Sequence, residues 1–416
     1  MSGFRDNRYW VLLLLGFFAG LPAALTAGTL QAWFTDAGLD LRVIGGVTLL
    51  ILPYSLRFLW APVFDEVRLP GFDRRRGWLF LIQTGLVLSI LMMAFMTPGE
   101  RFGIVPWLIV PAFMASFLAA SQEMVINAWQ TEVFDAEERG FSAGVYVTGW
   151  RVGAIVSGGV ALILAAHVGW HSMYLMMAAL MMLAPFVTLF APRVHRDRLP
   201  RQQRLMSVMW AAIRDFFRHI GFKAALILLL IIMTYKLGDA LALALNTTFL
   251  LRKMDFSLET IGLVNKSVSL ISALVGGLFG GLWMRRMSLY RALILFAVIQ
   301  TLSHFGYIVL AFSGKSLNLL VMAAFFENFC SGMGTVVLLA LIMNLCRVEY
   351  TATQLALFNA VAYMPRVVVG PLAASLVSHF GWGNFFGICM LASLLPVLFV
   401  RLGRRALNKL QLSFIK

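Results

Sequence analysis

The fold class this sequence predicts is an all-α membrane protein, with twelve transmembrane helices arranged as two six-helix bundles. Three observations predict it. Of the 416 residues, 60% are hydrophobic and 13% charged, and the mean hydropathy is +0.84. A chain this apolar cannot bury its surface as a soluble globule. Apolar runs about 20 residues long, each able to cross a hydrocarbon core of about 30 Å, fill both sides of one basic stretch, residues 192–223. The two sides also echo each other. His167-Val-Gly-Trp170 precedes the sixth run and His379-Phe-Gly-Trp382 the twelfth, while GWRVGAIVSGG around Arg151 parallels MPRVVVGPLAA around Arg366.

In chain order the first half predicts helices near 9–30, 42–61, 78–97, 105–131, 141–165 and 172–191. The second half predicts them near 224–250, 259–283, 290–312, 318–345, 353–377 and 384–400. The domains expected are therefore residues 1–191, a cytoplasmic basic linker over 192–223, and residues 224–416. Leu205, Met209, Ile213, Phe216 and Phe217 fall at amphipathic spacing in that linker, which predicts a helix lying on the inner membrane surface. The N-terminal apolar run continues from Tyr9 to about Leu30. It is too long for a signal-peptide core and reads as the first span.

Charge sets the expected sidedness. With both termini in the cytoplasm, the inner loops and tails hold roughly 24 of the 34 Lys and Arg residues, and the outer loops about five. A multi-pass membrane protein with both termini cytoplasmic is the localisation this predicts. The net charge of +15 follows from that orientation, and no nucleic-acid partner is expected. Cys330, Cys346 and Cys389 show no CxxC spacing, so neither a disulfide framework nor a metal site is predicted. No GxxxxGK[ST], GxSxG or HExxH motif is present, which predicts no ATP hydrolysis, no enzyme activity and no cofactor. Energy for any uptake would then come from a gradient or from facilitated flow.

Ionisable groups inside spans cost at least about 2.5 kcal/mol and call for a partner, a wet cavity or a function. In the fourth run Glu123, Asn127 and Gln130 fall at i, i+4 and i+7, one polar stripe expected to face a cavity. In the seventh, Lys236, Asp239 and Asn246 share a face, and Lys236 and Asp239 have the i, i+3 spacing of an ion pair, structural or functional. Lys266, Glu327, Arg151 and Arg366 complete the set. A carboxylate withdrawn from water can exchange its proton near neutral pH, which makes Glu123, Asp239 and Glu327 the candidates for proton coupling. Asn127, Gln130, Arg151, Lys236, Asn246, Lys266 and Arg366 are the candidates for binding a small-molecule substrate. His304, a lone histidine in an apolar helix, is expected to pack or to bond a neighbouring hydroxyl rather than to shuttle protons.

The loop FDEVRLPGFDRRRGW, Phe64 to Trp78, resembles the inner-loop signature of the major facilitator superfamily. Asp65 with Arg74, Arg75 and Arg76 is the expected conformational latch, against the alternative of solvated charges. QAWFTDAGLDL, LRFLWAPVFDEV, SQEMVINAWQTEV, EERGFSAGVYVTGWRVG, YKLGDALALALNTTFL, VNKSVSL and FFENFCSGMGT resemble the muropeptide permease (AmpG) family over nearly the whole chain. That resemblance implies a proton-linked inner-membrane importer, expected as a monomer in the lipid bilayer. Where this family usually carries a second acid and a base in the fourth span, this chain has Asn127 and Gln130. The sequence also stops at Lys416, where long enterobacterial members continue into further spans. Both departures resemble compact siderophore permeases of the rhizobactin and pyochelin type, so import of a ferric siderophore is the first expectation. An anhydromuropeptide permease for cell-wall recycling is the alternative, and a transporter-like sensor a second.

Overall fold

The computed structural model describes residues 7–67, 69, 71, 73–99, 101–102, 105–135, 138–192, 205–346, 351–405 and 407–408. Among them the structure is helical apart from one short antiparallel pair, Arg101–Phe102 with Val105–Pro106. Ten stretches are long and apolar enough to cross a membrane. Span 1 is Asn7–Asp36, span 3 Arg74–Phe95, span 4 Ile109–Val133, span 5 Phe141–Val168 and span 6 Trp170–Phe190. Span 7 is Phe222–Lys253, span 8 Leu258–Met284, span 9 Leu289–Ser313 and span 10 Leu317–Leu345. The last stretch, Leu357–Leu402, turns at Gly381, whose φ of 74° glycine adopts without strain, and it holds spans 11 and 12. The shorter apolar helix Leu41–Leu56 stands second in order, so a count of twelve is compatible with the fold. The chain divides into two compact units, residues 1–199 with 256–266 and residues 200–255 with 267–416.

In the first unit span 1 lies along span 5 at a distance only glycine allows. A methyl group on Gly20 would overlap the carbonyl of Trp150, and one on Gly149 would overlap that of Leu13. Small residues at such crossings let helix backbones meet in an apolar solvent. Span 2 is not one continuous helix. Leu52–Leu56 passes into a tight 3₁₀ turn, Arg57–Leu59, and then into Ala61–Glu66. Pro53 and Pro62 each open one of these helical pieces, where a missing N–H does no harm.

The repeat noted in the sequence has a structural counterpart. His167 Nδ1 donates to the Ile163 carbonyl at 2.9 Å, and His379 Nδ1 to the Ser375 carbonyl at 2.8 Å. In each motif the glycine that follows has a positive φ, 81° at Gly169 and 74° at Gly381. Trp170 then stacks on Trp33 of span 1 at 5.8 Å, and Trp382 meets Phe249 of span 7 at 5.3 Å. Each unit also packs its third helix on its fourth, spans 3 on 4 and 9 on 10.

The core of the second unit gathers Leu228, Ile231, Tyr235, Phe296, Val337, Leu341 and Phe358. Helix Leu205–Ile220 joins it. Phe216 is buried against Phe358 at 4.9 Å, and Gln354 Nε2 donates to the Ala212 carbonyl at 3.1 Å. The helix thus docks on spans 7 and 11 through Phe216 and Ala212 of its apolar face. Three spans of this unit are interrupted at polar residues. Span 7 restarts after Lys236, span 9 after His304, and span 12 after Ser393 and Leu394. Breaks of this kind are tolerated at membrane depth where the freed groups are buried in protein.

Candidate functional site

Polar side chains collect in two places, one within each unit. In the first unit Glu123 of span 4 faces Arg57 at 3.4 Å, their side chains 24% and 39% exposed. Arg57 reaches it because the 3₁₀ turn ends the Leu52–Leu56 helix there. The hydroxyls of Tyr54 and Tyr146 are buried beside this pair, close enough to feel both charges, and neither has a hydrogen-bond partner among the described residues. Asn127 is half-buried one turn along span 4. Gln130 is buried and its Nε2 donates to Ser142 Oγ of span 5 at 2.9 Å, a contact between helices. Arg151 is exposed, with no ion pair or hydrogen bond among the described residues.

The second unit encloses one buried ion pair and one buried histidine–carboxylate contact. Lys236 Nζ donates to Asp239 Oδ2 at 2.9 Å and to the carbonyl and hydroxyl oxygens of Ser331, each at 2.8 Å. Ser331 Oγ lies 2.9 Å from Asp239 Oδ2 as well. One turn earlier on span 10, Glu327 and His304 are both 0% exposed and meet at 2.8 Å. Gln300 Nε2 donates to Glu327 Oε1 at 3.0 Å, and Ser303 Oγ to Oε2 at 2.8 Å. The far side of the ring, His304 Nε2, lies 2.7 Å from Ser393 Oγ. Arg366 sits over the Tyr363 ring at 4.9 Å, near enough to Asp239 for their charges to interact. Asn246 Nδ2 donates to Tyr307 Oη at 3.3 Å. Span 8 carries Lys266, whose side chain lies outside the described ones.

A separate charged cluster occupies one end of the first unit. Arg74 and Arg75 converge on Glu132 Oε1 at 3.1 and 2.6 Å, and Arg8 holds Glu138 through both carboxylate oxygens. Arg76 pairs with Asp73 at 3.5 Å and donates to the carbonyls of Thr188 and Leu189. The side chain of Asp65 lies outside the described ones; among the described side chains Arg74 and Arg75 meet Glu132 and Arg76 meets Asp73. Among the described residues no group of three or more His, Cys, Asp and Glu could hold a metal ion.

The arrangement joins some candidates and separates others. Lys236, Asp239 and Arg366 stand together, with Glu327 nearby, whereas Glu123, Asn127 and Arg151 belong to the first unit. Arg57, Tyr54, Tyr146, Ser331 and Ser393 are not among the candidates, and His304 is expected to pack or to bond a hydroxyl rather than to shuttle protons. It bonds Ser393, but it also pairs with Glu327. The only sequence signal for that pair was a lone histidine one span before a lone glutamate.

Residues 12–368 match the Major Facilitator Superfamily. The chain is 43% identical over 406 residues to the anhydromuropeptide permease of Escherichia coli (strain K12), covering 97% of this chain and 81% of that one. It is 30% identical over 409 residues to a putative AmpG 4 transporter of Rickettsia felis, covering 95% and 96%. Among solved structures it is similar to a D-xylose-proton symporter, with a TM-score of 0.72 at 14% identity over 94% of this chain and 96% of that one. These relatives overturn the expectation of a ferric siderophore as cargo, and with it the iron-transport reading. That expectation rested on Asn127 and Gln130 as ligand-facing amides, yet Gln130 spends its amide on Ser142 between two helices. The chain is a multi-pass membrane protein of the major facilitator superfamily, and within that superfamily it belongs to the muropeptide permease (AmpG) family.

Proposed function

We propose that this protein imports anhydromuropeptides, an N-acetylglucosamine joined to an anhydro-N-acetylmuramyl peptide, across the bacterial inner membrane for cell-wall recycling. The observation that carries the proposal is 43% identity to the Escherichia coli anhydromuropeptide permease over 97% of the chain. The cargo combines sugar hydroxyls, acetamido groups and peptide carboxylates. Partly exposed Arg57 and Glu123, half-buried Asn127 and exposed Arg151 are groups able to bind such chemistry, and bidentate pairing of a guanidinium with a carboxylate suits Arg151 and Arg366.

Residues 1–191 and 224–416 move as the two bodies of an alternating-access cycle, with 192–223 and both termini in the cytoplasm. Arg74 and Arg75 on Glu132 act as the latch. The protein works as a monomer, without a cofactor or a nucleic-acid partner, and performs no covalent chemistry. A proton gradient drives accumulation, since the second unit withdraws two carboxylates, Asp239 and Glu327, from water.

The test is complementation. In an Escherichia coli strain lacking its own permease, expression of this chain restores cytoplasmic accumulation of labelled anhydromuropeptide. No accumulation, with the protein shown to be in the membrane, overturns the proposal.

A further inference from the structure

The hydrogens around His304 can be counted, and the count leaves room for one more proton. With a neutral ring, Nδ1–H donates to the Glu327 carboxylate at 2.8 Å and Nε2 accepts the Ser393 hydroxyl at 2.7 Å. Ser393 Oγ has a second acceptor in reach, the Cys389 carbonyl at 3.1 Å. If its O–H turns to that carbonyl, the oxygen lone pairs face Nε2, which can then carry a proton and donate it to Ser393. Both states satisfy every polar atom of the ring with the heavy atoms where they stand. In the first the pair bears the carboxylate charge alone, and in the second imidazolium and carboxylate cancel. A buried polar network usually fits one protonation state and penalises the other by an orphaned donor or acceptor.

Ser393 is held for this role from two sides. It sits at the interruption of span 12, and its Oγ abuts the bare Cα of Gly238, where even a methyl group would overlap it. Gly238 precedes Asp239 on span 7, so the hydroxyl that bonds His304 also abuts the residue next to Asp239. The ionisable groups that face His304 and Glu327 are Asp239 and Lys236 from span 7, Cys330 from span 10, Cys389 from span 12, and Tyr307 on span 9 itself. In the other pair Lys236 has its three hydrogens on three acceptors, and the open position is Asp239 Oδ1, which accepts no hydrogen bond among the described residues; at His304 both protonation states of the ring are hydrogen-bonded at both nitrogens.

We propose that the His304–Glu327 pair is the site where this transporter takes up and gives up its driving proton, with the Ser393 hydroxyl as the positioning group that turns to accommodate either state. The inference rests on the proton-driven reading above and names its site. The proton enters at Nε2 and leaves from it, so no co-reactant is required.

The deciding experiment needs no cargo. Full-length protein carrying ¹⁵N-histidine is placed in lipid nanodiscs, and the His304 ring signals are assigned by their loss in His304→Gln. They are then followed from about pH 5 to about pH 8, the span in which histidine commonly titrates. His304 is expected to pass between the Nδ1–H tautomer and the doubly protonated ring. Ser393→Ala is expected to displace that titration by about one pH unit or more, tenfold in proton affinity, because a hydrogen bond to a charged group is lost. A ring that keeps one protonation state throughout overturns the proposal, and so does a Ser393→Ala titration that coincides with the wild type.

Where the wild type accumulates labelled anhydromuropeptide, Glu327→Gln abolishes gradient-driven accumulation and keeps exchange of cargo at equal concentration. Undiminished accumulation in that variant also overturns the site. A wild type that moves no cargo at all counts against the muropeptide reading instead, and the ring titration still decides the proton site.

Discussion

Removing the charge of Asp239 tests whether the Lys236–Asp239 pair is only a strut of the fold. The perturbation is Asp239→Asn, which keeps the side-chain shape. Lys236 is 5% exposed, and its three hydrogens go to Asp239 and to two oxygens of Ser331. Without the carboxylate the ammonium keeps Ser331 but loses its counter-charge, and stranding a buried charge in this way costs about 3–5 kcal/mol. Lys236→Met should cost less, because the Asp239 carboxylate keeps the Ser331 hydroxyl and the charge of Arg366. The double change Lys236→Met with Asp239→Leu should regain most of the loss, since an apolar pair of similar volume carries no desolvation penalty. The assay is a double-mutant cycle of unfolding in detergent, which isolates the coupling between the two sites. An Asp239→Asn protein as stable as the wild type, or a double variant no more stable than Asp239→Asn, refutes the reasoning. Transport by the stable double variant then separates the roles: a strut leaves uptake intact, whereas a working pair leaves a folded protein that moves nothing.

Gly149→Ala should lower stability by about 1–3 kcal/mol through overpacking against the Leu13 carbonyl, while Gly144→Ala, with nothing nearby, should be close to neutral in the same unfolding measurement. Phe216→Ala should loosen the docked helix Leu205–Ile220 by about 3–5 kcal/mol, read as faster hydrogen exchange across that helix with span 7 unchanged. A cysteine at exposed Arg218, in a chain whose own cysteines are replaced by alanine, should resist impermeant thiol reagents added to intact cells and react once the cells are opened. Labelling in intact cells, with uptake preserved, contradicts cytoplasmic placement of 192–223.

The spans were legible because burial in lipid demands long apolar runs, and the repeat because His-x-Gly-Trp has one local job in both units. Span 2 was read as continuous from 42 to 61, but its prolines and the turn at Arg57 divide it, and an average over an apolar window does not register a break. The residues that titrate or pair were also visible, since a charge in an apolar run stands out. Their partners were not. Glu123 meets Arg57 across 66 positions, and His304 meets Ser393 across 89, distances that only packing closes. Uncharged residues such as Ser393 and Tyr54 look like any other core serine or tyrosine until their neighbours are known. The siderophore expectation read two amides in span 4 as a statement about cargo, whereas 43% identity to an anhydromuropeptide permease over 97% of the chain points to the other reading.

The most direct test of the account is uptake by purified protein in liposomes with an acidic exterior and labelled N-acetylglucosaminyl-anhydro-N-acetylmuramyl peptide outside. The account predicts accumulation above the external concentration, abolished by a protonophore, while exchange of cargo continues. It is contradicted if the Escherichia coli relative, reconstituted alongside, concentrates the peptide and this protein does not.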